Sequence, residues 1–125
     1  MLGNRDAMGT LGVGDIKRAR AFYQETLGLT PVATEGDQVV VYQAGATKIL
    51  VYQSQFAGTN QATSLTWEVG SDLEKIVESL RSKGVGFEHY DFPGGTRQGD
   101  IHIIGKVRNA WFKDPDGNIH SLVAS

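Results

Sequence analysis

The sequence predicts an α+β fold built from two copies of one βαβββ module, and three observations carry that reading. Two amphipathic helix patterns, one near 15–27 and one beginning at 71 or 72 and ending before Gly84, each follow a short strand-like run. Each is then followed by β-rich segments punctuated by glycine turns. The chain closes on a hairpin, in which Asp114-Pro115-Asp116-Gly117-Asn118 separates two apolar-rich runs.

In order along the chain, residues 8–13 form the first strand. Asp15 caps a helix whose apolar stripe is Ile16, Ala19, Phe22, Tyr23 and Leu27, with Gly28 ending it. Val39–Tyr42 and Thr47–Tyr52 read as strands parted by Gln43-Ala44-Gly45-Ala46. The second copy begins with a strand at 64–69. Ser71 and Glu74 have the spacing of a capping box, and Leu73, Ile76, Val77 and Leu80 form the second stripe, with Gly84 beyond it. Strands at 107–112 and 119–123 complete the pattern. Superposing Val13 on Val69 aligns the first strands, and Gly45 on Gly117 the closing hairpins, so an internal duplication is the simplest account. The Gly-rich stretch Phe92–His102 has no counterpart of equal length in the first half and reads as a loop.

With 125 residues, the chain accommodates one domain (1–125), with modules near 7–53 and 63–124. Apolar content of 40% and charged content of 21% match a globular chain. A net charge of −2 with scattered basic residues gives no footprint for nucleic acid or an anionic membrane. No apolar run approaches the ~20 residues of a spanning helix. The N-terminal residues show no signal-peptide core, so a cytoplasmic location is expected. The absence of cysteine removes disulfides, thiolate nucleophiles and thiolate metal sites.

The closing hairpin and the Ala21-Phe22-Tyr23…Leu27-Gly28-Leu29 segment resemble the vicinal-oxygen-chelate superfamily, which includes glyoxalases, fosfomycin- and bleomycin-resistance proteins and extradiol dioxygenases. The resemblance covers nearly the whole chain. It implies a paired-module sheet curled around a cavity, with metal ligands on the first and last strands of each module. Those positions fall at Met8, Ile49, Ser64 and Ser121. In metal-dependent members the Ser121 position is usually a Glu. A thioether, an aliphatic chain and two hydroxyls are not a divalent-metal donor set, so no metal and no cofactor is expected. His120 has the opposite strand parity from Ser121 and should point toward the helices.

By parity the cavity face comprises Met8, Thr10, Ile49, Ser64, Thr66, Glu68 and Ser121, a small mixed surface suited to a modest organic ligand. The expected function is metal-free small-molecule binding or sequestration. Bleomycin is not favoured, because its binding proteins tend to be strongly acidic. The alternative is a metal-dependent lyase, isomerase or dioxygenase with non-standard ligands such as His102, Asp100 and Glu68, or a metal-free enzyme with Glu68 or His102 as base. Against a functional Asp100-X-His102 pair stands a plain polar loop edge; for Glu68 the duller role is a neighbour of the helix N-terminus, and for His89 a surface position. Trp67 has core parity. The faces of Tyr42, Tyr52 and Trp111 stay open. The resemblance also implies a homodimer.

Overall fold

The computed structural model describes all 125 residues, which divide into two compact units, Met1–Ala57 and Gly58–Ser125. Each contains one open mixed sheet and one main helix, an α+β arrangement of two βαβββ modules.

In the first unit, β1 (Gly9–Val13) is followed by α1 (Ile16–Arg20), and then by β2 (Thr30–Glu35), β3 (Val39–Ala44) and β4 (Thr47–Gln53). The sheet order is β1-β4-β3-β2, with β1 parallel to β4. Asp15 caps α1 as the sequence predicts, its carboxylate accepting from the Lys17 and Arg18 amides at 2.9 and 3.3 Å. The helix is shorter than its apolar stripe: residues 21–26 form a π-turn, in which the Leu27 amide reaches back to the Phe22 carbonyl. Ala19 and Tyr23 pack on one sheet face with Leu11, Val13, Val40, Tyr42, Ile49 and Val51, all buried. Tyr42 therefore lies in the core, its hydroxyl donating to Gln24 Oε1 at 3.0 Å, and burial raises its pKa. Tyr52 lies on the opposite, exposed face.

The second unit repeats the plan with additions. Its elements are β5 (Thr63–Glu68), α2 (Leu73–Ser82), β6 (Phe87–Glu88), β7 (Thr96–Gln98), β8 (Ile101–Ile104), β9 (Val107–Lys113) and β10 (Ile119–Ala124). The order β5-β10-β9-β8 matches β1-β4-β3-β2 strand for strand; β7 extends the far edge, and β6 pairs with the end of β9. The predicted loop at 92–102 is thus partly a hairpin, β7–β8, hung on the outer edge. The Ser71–Glu74 capping box does not form. A 3₁₀ turn, Gly70–Asp72, precedes α2 with no side-chain cap, and Glu74 pairs with Arg108 instead. Leu73, Val77 and Leu80 pack α2 into the core, where Phe112 stacks on Trp67 and meets His120 edge-on. His120 is fully buried on this face, as its strand parity predicts.

The Asp114–Asn118 turn is fixed by a single carboxylate. Asp114 accepts from the amides of Asp116 and Asn118 and from the Asn118 side chain, at 2.8–2.9 Å. Gly58 lies against this turn at φ +70°, where a Cβ would meet the Asp116 carbonyl oxygen at 1.8 Å; only glycine fits there.

Candidate ligand cavity in the second module

The sheet face turned away from α2 carries the polar side chains of the second module. Register defines two rows across it. Thr66 of β5, Ser121 of β10, Trp111 of β9 and Glu88 of β6 form one; Glu68, Val123, Asn109 and His102 form the next. In the first row, Thr66 Oγ1 and Ser121 Oγ hydrogen-bond to each other at 2.9 Å. At the end of the second, His102 is buried.

Residues following β6 fold over the β8–β9 end of this face. Phe92 stacks on Trp111 with ring centroids 5.4 Å apart, and Tyr90 meets Trp111 edge-on at 5.2 Å. His102 packs edge-on against Trp111 at 5.0 Å. The sequence left the face of Trp111 open for want of the strand register, and the β9–β10 pairing sets it opposite Ser121. Beside this aromatic group opens a cavity of about 280 Å³ lined by His89, Tyr90, Asp91, Phe92, Arg97 and His102 among others. It is large enough for a small organic molecule and has flat hydrophobic walls.

Two histidines give the cavity its chemistry. The Tyr90 amide donates to His102 Nε2 at 3.0 Å, so the ring proton of the neutral form sits on Nδ1. Burial, and then the nearby positive charges of His89 and Arg97, hold the His102 pKa below its usual value. His89 lies alongside, its ring centroid 5.8 Å from that of His102. Its Nε2 bonds Asp100 Oδ1 at 2.7 Å, while Arg81 of α2 holds Asp100 Oδ2 at 2.6 Å. The Arg81 bond foremost, and then the His89 bond, keep the Asp100 carboxyl below the usual carboxylate range.

These contacts revise several sequence expectations. Asp100 pairs with His89, not with His102, because it lies in the β7–β8 turn rather than in a strand. His89 is exposed, as the sequence leads one to expect, and also lines the cavity. The closely spaced ring-bearing residues His89, Tyr90 and Phe92 between two glycine-marked turns were its only sequence signal. Ile49 does not lie on the open face. It is buried under α1, paired with Gly9 and Tyr42, and Leu50 is the residue beside Thr10. Counting from the turn glycine misses by one, because the first turn has two residues between strands and the second has five, followed by a register shift at Ile119/His120. Thr10 and Met8 are exposed, as are Thr66 and Glu68; Ser64 is half-buried and Ser121 buried. Glu68 and His102 share a row but are three strand spacings apart, about 14 Å, so Glu68, Asp100 and His102 do not form one ligand set.

The positions at which the resemblance locates metal ligands carry a thioether at Met8, aliphatic chains at 49 and 50, and hydroxyls at Ser64 and Ser121. The Ser121 hydroxyl is engaged by Thr66, and no group of three His, Cys, Asp or Glu side chains converges within the chain. These residues do not fit a resident divalent metal.

The family model described as Glyoxalase/Bleomycin resistance protein/Dioxygenase superfamily matches residues 7–120. No curated protein matches the chain. Among solved structures, a fosfomycin resistance protein, FosX, from Listeria monocytogenes, complexed with Mn(II) and sulfate, is similar at 15% identity and TM-score 0.74, covering 98% of this chain and 90% of that one. A lactoylglutathione lyase from Agrobacterium tumefaciens is similar at 17% identity and TM-score 0.71, covering 98% and 96%. A structure from the mobile metagenome of V. Pseudocholerae reaches 23% identity at TM-score 0.67, covering 99% and 95%.

Proposed function

Since the chain belongs to the glyoxalase/bleomycin resistance protein/dioxygenase superfamily, we propose that it binds or sequesters a small organic molecule without a resident metal. The observation that carries this reading is the aromatic-walled cavity of about 280 Å³ in the second module, combined with a donor set at the family's metal positions that lacks imidazole and carboxylate. Tyr90 and Phe92 supply flat apolar contact, and Arg97 supplies a directional cation. Ser64, Thr66, Glu68 and Ser121 extend the polar surface along the same sheet face, and Met8 and Thr10 offer the corresponding positions of the first module. Assembly as a homodimer and a cytoplasmic location belong to the same proposal. Family membership supports the first; no helix is long and apolar enough to cross a membrane.

The second reading is a metal-dependent lyase, isomerase or dioxygenase, favoured by likeness to a structure solved with Mn(II). Metal content of untagged protein, with a thermal-shift panel of Ni²⁺, Mn²⁺, Zn²⁺ and Fe²⁺, separates the two. A specific metal raises the unfolding midpoint by mass action. The expected result is no bound metal and no shift; near-stoichiometric metal with a raised midpoint establishes the second reading instead.

A further inference from the structure

His89, Asp100 and Arg81 form a hydrogen-bonded chain that ends in the cavity. Arg81 fixes one oxygen of Asp100 at 2.6 Å, the other oxygen holds His89 Nε2 at 2.7 Å, and His89 lines the cavity. A carboxylate bonded to Nε2 fixes the imidazole tautomer with its proton on that nitrogen and leaves the Nδ1 lone pair available. Arg97 lines the same cavity and makes no ion pair with any carboxylate of the chain.

We infer that this cavity is a metal-free proton-transfer site in which His89, positioned by Asp100 and Arg81, acts as general base toward an activated C–H, N–H or O–H of a flat bound molecule. The inference rests on the ligand-binding reading of the same cavity and adds an activity to it. In the step, the bond from hydrogen to the ligand atom breaks, the proton moves to His89 Nδ1, and the electron pair passes into the ligand. The charge that develops there is met by the Arg97 guanidinium. Asp100 stabilises the imidazolium that forms, and the proton then returns to the ligand or to water. Other charged or titratable groups near His89 are His102 on β8, Asp91 and Tyr90 in the covering segment, and Arg97 on β7.

A generic test uses 5-nitrobenzisoxazole, a flat heteroaromatic whose C–H proton is removed by a base as its N–O bond opens, leaving a nitrile and a coloured phenolate. Binding is followed separately through the fluorescence of Trp111, with Trp67 as the only other tryptophan. The expected result is turnover above an equal concentration of free imidazole, with a pH-dependent kcat/KM. H89Q then loses at least tenfold in kcat/KM while still quenching with the probe. D100N, a positioning variant, retains binding but shifts the pH profile, an effect that loss of structural support alone does not produce. R97Q lowers kcat more than it raises KM. Binding with no turnover, or turnover that H89Q leaves unchanged, overturns the proton-transfer inference and leaves the binding reading standing. If neither this probe nor a panel of other small aromatic molecules alters the fluorescence, the binding reading itself falls. Should H89Q fail to fold, D100N and the pH profile of the unaltered protein decide the matter.

Discussion

Between Trp67 and Phe112, His120 is fully buried, and burial pushes its pKa down to about 4 from 6.5, with Asp114 pulling in the opposite direction. A base whose folded pKa is depressed binds fewer protons in the native state than in the unfolded one between those two values. Stability is therefore full above about pH 6.5 and falls as pH drops toward 4. The loss attributable to this one ring is about 3 kcal/mol. Urea denaturation of the protein and of H120L across pH 7.5 to 4 measures it: the protein's midpoint should fall relative to that of H120L as pH drops. A parallel fall in both would show that His120 is not the group responsible. Strand parity sufficed to bury His120, because a single alternation from Ser121 decides it. The same parity misplaced Ile49, since its register had to be carried across a turn of different length. His89 was legible only as a ring-bearing residue near a loop; its partner Asp100 is brought to it by tertiary folding of a segment without a repeat.

Elements differ in how well they are held. β9 and β10 are central strands of the second sheet, and β10 is buried along almost all its length. β2 is an edge strand exposed at every position, and β7 is likewise exposed at the opposite kind of edge. Local opening costs least where few apolar contacts are lost. Amide hydrogen exchange should be slowest in β9 and β10 and fastest in β2 and β7; equal protection of β2 and β10 would contradict this packing. The strands that were legible in advance are those with β-branched alternation, such as Val39–Ala44 and Thr47–Gln53. β6 and β7 were not, because two or three residues give no period to read and their pairing to β9 and β8 is entirely non-local.

For the whole molecule, the repeat explains why fold and family could be read from so little identity. β1-β4-β3-β2 and β5-β10-β9-β8 share connectivity, and the matching glycines, Gly28 with Gly84 and Gly45 with Gly117, survive where side chains have diverged. The function is less legible, since one fold hosts many chemistries and the site must be argued from its own residues. Assembly is tested by light scattering coupled to size exclusion. The expected mass is roughly twice the 13.5 kDa of one chain, whereas a monomer across micromolar concentrations would remove dimerisation from the proposal.

The segment from Tyr90 through β7 lies outside the duplicated frame, with β7 forming the sheet edge beyond β8. Its length and sequence can therefore change without shifting the β9–β10 register, which Asp114 fixes from the other side of β9. The part of the chain that shapes the cavity is thus a graftable cassette. Selection could exchange residues 89–100 for a different recognition surface while the two repeated cores remain as they are.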